Sequence, residues 1–447
     1  MKKNYLLGMA LMASLSFNSC DKEVVYVQDG TGVESVADGA QIITLQVENG
    51  GDGLATRAGR PLYSAEAKQT IENVKLWICD GAGNVIKYVK EISDWNTDDV
   101  STVYTTGGHG RQTTIELKDA DKLAAGTYKI YAVGYSNSGA YTLTDVTNVA
   151  KESTFNENMV LPCSTVGEEI FAGQMELTVE KGKGFKKPVV LNRQVAGAFA
   201  YVKDIPFMEG AKYLKLVASA QNQSLVLGNF NSFDLTGNGS GNANVKYVVN
   251  GTNGKSGSET YVISTIDLNK WFTAIKDDNG DNLIDAGENW KNPCRPSSSP
   301  AAGTYPTFQK GSAFGGEFVI PFAHVDGKQT LTLQLTNAGG KVLRSWKVNL
   351  GSTDEQLKQT ITCWNSGSTD WSTSLSGELA NTYSLVRNHL YGIGTRMNDE
   401  ANPEKPGVDP DPNPENPNDK PESLNNKQEL VLKVNDNWEV IHGMELD

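Results

Sequence analysis

The stretch Leu430 to Leu446 alternates as a β-strand does. Leu430, Leu432, Val434, Trp438, Val440, Met444 and Leu446 fall on one side, and Glu429, Val431, Lys433, Asn435, Asn437, Glu439 and Glu445 mostly on the other. A strand with one apolar face needs a sheet and a core to cover it. Before it lies Asn402 to Asn426, rich in Pro, Asn, Asp and Glu, a composition that stays extended and does not pack. The strand is therefore expected as an arm outside the preceding domain, completing the sheet of another molecule through main-chain hydrogen bonds and alternate side chains. That points to an assembly subunit rather than an enzyme.

The other end reads as an export signal. Lys2 and Lys3 precede the apolar run Leu6 to Phe17, too short to span a bilayer and of the length of a signal h-region. Asn18 and Ser19 then lead to Cys20 and the polar Asp21, Lys22 and Glu23, as in a bacterial lipoprotein precursor, although Phe17 and Asn18 depart from a strict small-residue lipobox. Lipidation at Cys20 is the expectation, with ordinary secretion or a structural cysteine as the alternatives. A lipidated cysteine with two or more acyl chains tethers a protein to a membrane surface.

Composition narrows the function. Cys79, Cys163, Cys294 and Cys363 lack the short spacing of a zinc or thiol redox motif. The 4 histidines, His109, His324, His389 and His442, are scattered, which argues against a histidine-rich metal site. Lys plus Arg number 40 against 53 Asp plus Glu, a net charge of -13 that speaks against nucleic acid and anionic membranes as partners.

A chain of 447 residues favours two domains over one core. Strand candidates follow one another from Ile71 to Cys79 and Val85 to Val89, through Thr127 to Tyr135 and Tyr213 to Ala218, to Leu331 to Leu335 and Val342 to Val348. Gly, Asn, Asp and Ser fill the links, and helical periodicity is limited to short pieces at Asp119 to Ala124 and Thr353 to Lys358. The pattern is all-β, read as two tandem β-sandwiches with a change of composition at Glu180 to Gly184.

Ile43, Leu45 and Val47 alternate with Thr44, Gln46 and Glu48 in a further strand candidate, followed by the flexible Gly50-Gly51-Asp52-Gly53. Arg57 and Arg60 come next. A trypsin-like protease would cut between Arg57 and Ala58, because Pro61 follows Arg60. Such a cut would detach a strand and leave an apolar groove complementary to the C-terminal arm. Two solvated loop arginines are the plainer reading of the same residues.

Taken together, these stretches resemble the fimbrillins that build the type V pili of Bacteroidales, and more specifically an Mfa1-like major fimbrillin. The resemblance is carried by the lipoprotein start at Cys20, Leu54-Ala55-Thr56-Arg57-Ala58-Gly59, Leu385-Val386-Arg387-Asn388-His389-Leu390-Tyr391, and the acidic proline linker leading to Val431 through Leu446. Asn192 to Ala198 is similar to the strand that opens the family's second domain, with Gly197 where an arginine is common. The resemblance implies transthyretin-like, Greek-key sandwiches and a shaft subunit exported as an outer-membrane lipoprotein precursor to a cell-surface fimbria. An arginine-specific protease would cut at Arg57, and the tail of a neighbouring subunit would replace the lost strand as donor. The implied partners are further copies of the chain, accessory and anchor fimbrillins, that protease, and a host or bacterial surface ligand. The chain then divides into a signal peptide over 1–19, a propeptide over 20–57, sandwiches over 58–184 and 185–401, a linker over 402–426 and the donor arm over 427–447. An anchor or accessory subunit and a surface glycan-binding lipoprotein are the alternatives.

Asp277, Asn279, Asp281, Asp285 and Glu288 fall at positions 1, 3, 5, 9 and 12 of a calcium loop, with the Leu283 carbonyl at position 7. Position 6, ordinarily glycine, is Asn282. Two readings stand: a Ca²⁺ loop and a solvated acidic loop, with no cofactor required for function. The chain lacks a nucleophile elbow, a His-Glu-x-x-His, a P-loop and a dinucleotide fingerprint, so no enzyme is expected. Trp271, Trp290, Trp364 and Trp371 suit either strand packing or glycan stacking.

Overall fold

The computed structural model describes residues 26–28, 34–36, 39–48, 71–104, 110–164, 168–227, 248–284, 289–293, 308–322, 331–351, 361–375, 385–394, 421–425 and 429–435. The first strands are β1 (Tyr26–Gln28), β2 (Glu34–Val36), β3 (Gln41–Glu48), β4 (Asn73–Asp80), β5 (Ile86–Ile92), β6 (Thr102–Tyr104), β7 (Gly110–Leu117), β8 (Gly126–Tyr135), β9 (Met159–Pro162), β10 (Phe171–Val179) and β11 (Phe185–Arg193). There follow β12 (Ala196–Lys203), β13 (Ala211–Leu227), β14 (Val248–Val249), β15 (Gly251–Asp267), β16 (Ala313–Val319), β17 (Leu331–Asn337) and β18 (Val342–Gly351). The last are β19 (Ile361–Asn365), β20 (Asp370–Leu375), β21 (Leu390–Ile393), β22 (Glu422–Ser423) and β23 (Glu429–Asn435). Helix among the described residues is limited to α1 (Thr144–Thr147), α2 (Leu268–Trp271) and a 3₁₀ turn at Asp119–Asp121. The protein is nearly all-β, with sandwich-like sheets.

The first sheet runs β5-β4-β8-β10-β11-β3-β7-β6. It curls over a single core because its inward positions are apolar at period two. Ile43, Leu45 and Val47 of β3 meet Val74, Leu76 and Ile78 of β4, Ile130 of β8, and Val189 and Leu191 of β11 there, all of them buried. The fold-over lies between β10 and β11, which pair at Phe171 with Arg193 and Ala172 with Asn192. Gly173 sits at this corner, where a Cβ would stand 1.9 Å from the Val190 carbonyl oxygen. No other residue fits so close a backbone approach.

The second sheet runs β15-β13-β17-β18-β23-β21-β12-β16, with β9 added on β13 and β22 on β12. Its core packs Phe199, Tyr201, Leu216, Leu333, Trp346 and Tyr391, and continues without a break onto Trp77, Tyr131 and Phe155 of the first half. A small third sheet, β14-β19-β20, completes the molecule's described strands.

Two boundaries differ from the sequence reading. The Glu180 to Gly184 stretch, expected to separate the domains, is a turn between β10 and β11, with Gly182 at φ +78° and the Lys183 N–H donating to the Glu180 carbonyl. The sheets change hands at Gln194 and Val195 instead, because β11 is needed inside the first sheet. In the stretch 402–426, expected not to pack, residues 421–425 dock on β12: Leu424 is fully buried and its N–H donates to the Lys203 carbonyl. Leu424 supplies the apolar anchor that the composition argument averaged away. Thr353 to Lys358 lies outside the described residues.

Gly392 gives a test of the second core. It pairs with Phe199 across β21 and β12, and a Cβ on it would stand 2.2 Å from Phe199 Cζ, in a ring that is itself fully buried. Gly392→Ala is expected to destabilise by about 1–3 kcal/mol through overpacking. Urea unfolding of the purified protein checks it, and an unchanged midpoint would show that the ring has room to move.

Candidate assembly site

Two interior positions in the sheets are filled by strands from the ends of the chain. In the first sheet β3 lies between β11 and β7, parallel to β11 with Leu45 beside Val189, and antiparallel to β7 with Leu45 beside Thr113. Ile43, Leu45 and Val47 are completely buried on its inner face. The other face is nearly covered too. Ile42 and Thr44 are buried there and Gln46 donates to Gln112, while at the start of the inner face the Gln41 amide donates to the Leu123 carbonyl at 2.9 Å and its oxygen accepts the Leu123 N–H at 2.7 Å. Burial of each apolar side chain is worth about 1.5–3 kcal/mol. Removing β3 would expose that surface and leave two unpaired edges in the middle of a sheet.

In the second sheet β23 occupies the like position. It is parallel to β18, with Leu430 beside Val348, and antiparallel to β21, with Val434 beside Tyr391. Leu430 is 1% exposed. The two inserted strands are also alike in sequence: Gln41-Ile42-Ile43-Thr44-Leu45-Gln46-Val47 matches Gln428-Glu429-Leu430-Val431-Leu432-Lys433-Val434, with apolar residues at corresponding alternate places. This corrects the expectation of a tail wholly outside its own domain. The reason is energetic: an interior gap between β18 and β21 needs a strand on both sides, and residues 429–435 have the right alternation.

A buried polar knot joins the two sheets. Arg193 Nε donates to Glu169 at 2.9 Å with both side chains inaccessible, and the Arg193 guanidinium lies over the Phe171 ring at 5.1 Å. From the second half, Arg387 donates to the Gln194 side-chain oxygen at 3.1 Å, and the Asn388 N–H donates to the Val195 carbonyl at 2.8 Å. The Gly197 N–H donates to the His389 carbonyl. The stretch Leu385 to Tyr391, one of those that carry the resemblance, is a bridge at Leu385, a turn with Asn388 at φ +55°, and then β21. Asparagine tolerates that left-handed backbone better than most residues. The knot therefore fixes β12 and β21 against the end of β11.

Other expected site residues are placed as follows. Cys20, Arg57, Ala58, Asp285, Glu288, Trp438, Val440, Met444 and Leu446 lie outside the described residues. In the loop before them, Asp277 accepts the Gly280 and Asn282 N–H groups at 2.8 and 3.0 Å, and Asp281 accepts the Leu283 N–H at 2.8 Å. Asn282 has φ +63°, the left-handed backbone for which glycine is usual at that position. Ile284 is buried and its N–H donates to the Ile205 carbonyl, which pins the loop to the second core. Trp271 is a core residue, 1% exposed and edge-on to Phe308 at 4.8 Å, so it offers no face to a glycan. Trp290 is half-buried, with its indole N–H on the Ser312 carbonyl. Burial pushes the Cys79 and Cys363 thiols up to about 12.

No family model matches the chain, and no curated protein does. Solved structures do resemble it. A fimbrial assembly protein from Parabacteroides distasonis is 12% identical, covering 79% of this chain and 90% of that one, with a TM-score of 0.34. The fimbrial anchor protein Mfa2 from Porphyromonas gingivalis is 10% identical over 74% and 94%, TM-score 0.32. The tip fimbrial protein Mfa3 from the same species, with a C-terminal truncation, is 9% identical over 79% and 94%, TM-score 0.35. At these identities the function has to be argued from the chain's own residues.

The knot makes a direct prediction. Glu169→Ala leaves the Arg193 charge buried without its carboxylate and is expected to cost about 3–5 kcal/mol. Denaturant unfolding measures the loss, and a cost under about 1 kcal/mol, the range of an exposed pair, would refute the buried-pair reading.

Proposed function

We propose that this protein is a structural subunit of a cell-surface fimbria, assembled by donor-strand exchange after proteolytic removal of β3. The observation that carries the reading is the pair of interior slots. One is filled by a strand that a cut after Arg57 would release, and the other by a strand delivered from the far end of the chain. The protein already completes one sheet with a chain-end strand, so completing a neighbour's sheet uses the same chemistry.

In this reading Cys20 carries the lipid of an outer-membrane precursor. An arginine-specific protease cuts between Arg57 and Ala58, and the vacated slot between β11 and β7 accepts the tail of another copy. Residues 429–435 are paired on both sides in their own sheet. The part assigned to the neighbour is consequently the distal one, with Trp438, Val440, Met444 and Leu446 as the entering side chains, while the paired backbone of residues 429–435 and the buried Leu430 hold the root at home. A shaft role follows from the presence of both a removable strand and a tail. Accessory and anchor fimbrillins are the further partners.

Three variants test this in cells and on purified protein. Arg57→Ala should stop polymer formation, and fibres sheared from cells with the natural sequence should begin at Ala58. Val440→Asp should abolish fibres by placing a carboxylate in an apolar slot, while leaving the thermal midpoint of the monomer unchanged. Leu430→Asp should lower that midpoint, because it strikes the chain's own core. Normal fibres from Arg57→Ala or from Val440→Asp would sink the exchange reading.

A calcium ion on Asp277, Asn279, Asp281, the Leu283 carbonyl, Asp285 and Glu288 belongs to the same proposal. The left-handed Asn282 and the inward-hydrogen-bonded Asp277 support it. Bound calcium would stabilise the folded state by mass action, so chelation should lower the thermal midpoint and Asp277→Ala should remove that dependence. Identical melting with and without chelator would leave a solvated loop.

A further inference from the structure

A cleft of about 470 Å³ opens between three separate parts of the chain: the run leading into β9, the start of β15, and the turn joining β19 to β20. Asn156, Asn158, Thr252, Asn253, Trp364 and Ser366 line it, and Val160 and Thr369 complete it. None of these side chains is charged, in a chain of net charge -13. Among the described lining residues an anion finds no cation to meet and a metal ion no carboxylate. The same residues give a neutral polyhydroxylated ligand both partners it needs, since carboxamides and hydroxyls donate and accept in the same place.

Neighbouring residues hold this surface in position. Glu157 stands between Asn156 and Asn158 but turns its carboxylate away, onto Lys129 at 2.9 Å and onto the Tyr131 hydroxyl and the Asn84 amide. The charge is thus spent elsewhere while the flanking asparagines remain at the cleft. Asn156 accepts the Asn158 N–H at 3.0 Å, which leaves its NH₂ group to donate. Asn253 donates to Ser224 at 2.8 Å, which leaves its oxygen to accept. Trp364 is half-buried and braced edge-on by Trp371, ring centroids 5.2 Å apart at 66°, so its ring is set by packing before any ligand arrives.

We infer that this cleft is a binding site for a neutral glycan, with a pyranose ring stacked on Trp364 and its hydroxyls met by Asn156, Asn158 and Asn253. An indole face removes the apolar C–H face of a sugar from water while the rim supplies hydrogen bonds, the usual division of labour in small-ligand sites. The volume takes roughly one or two sugar rings. The site lies on the second sheet's side of the molecule and is independent of strand exchange. A monomer that never polymerises would still carry it.

The test uses the full-length monomer on an array of neutral, sialylated and sulfated glycans, followed by titration of the best neutral oligosaccharide against tryptophan fluorescence. Neutral glycans should be retained and charged ones not. Trp364→Ala should weaken binding on the order of tenfold or more, and Trp364→Phe should recover part of it. Asn158→Ala, whose side chain is outside the core, should weaken binding with the thermal midpoint unchanged, and it decides the matter should Trp364→Ala fail to fold. Failure to retain any neutral glycan, preference for charged ones, or unaltered affinity in Asn158→Ala and Trp364→Ala would overturn the assignment. Fibre formation in Trp364→Ala should remain normal, so failure of the glycan site leaves the assembly reading intact.

Discussion

A sheet lacking one of its inner strands presents two facing rows of unpaired N–H and C=O groups above an open apolar core. Each such group is costly to bury and too reactive toward other strands to leave bare. Both large sheets of this protein meet that constraint with strands drawn from the chain's ends, β3 in one and β23 in the other. Everything else in the architecture accommodates them. The Gly173 corner curls the first sheet over Ile43, Leu45 and Val47, and docking of Leu424 on β12 brings the tail to the level of β18 and β21.

The two slots are held in a fixed relation by the buried knot around Arg193. A guanidinium that loses its water needs a carboxylate and further acceptors to offset the cost. Glu169 and Asn388 provide them from opposite halves of the protein, at 2.9 and 3.4 Å. Because β11 ends at Arg193 and borders the first slot, and β21 begins just after Asn388 and borders the second, the knot sits on both borders. A group of polar residues that would be a poor way to gain stability alone becomes a way to specify one arrangement of two sheets.

Much of the fold was legible in the chain because period-two alternation survives wherever one face of a strand is buried. Strands β4, β5, β8, β13, β17 and β18 fall on runs that the pattern marks, and so does β3. What alternation cannot show is which sheet a strand joins. β11 was read on the far side of a glycine-containing turn, when in fact the turn simply reverses the chain within one sheet. The home pairing of residues 429–435 was hidden for a related reason: an apolar face states that it needs a partner but not whose partner it is. The cleft was missed except for Trp364. Asn156, Asn158 and Asn253 come together from segments far apart in sequence, and no local pattern distinguishes them from the other turn asparagines.

The direction of β23 has a mechanical consequence. Its hydrogen bonds to β18 and β21 run across the strand, and residues 429–433 and 433–435 are paired to one neighbour or the other. Tension applied along the strand from the residues beyond Asn435 therefore loads those bonds in shear, so that they must yield together rather than peel open one at a time. A root held this way resists pulling far better than its short length suggests.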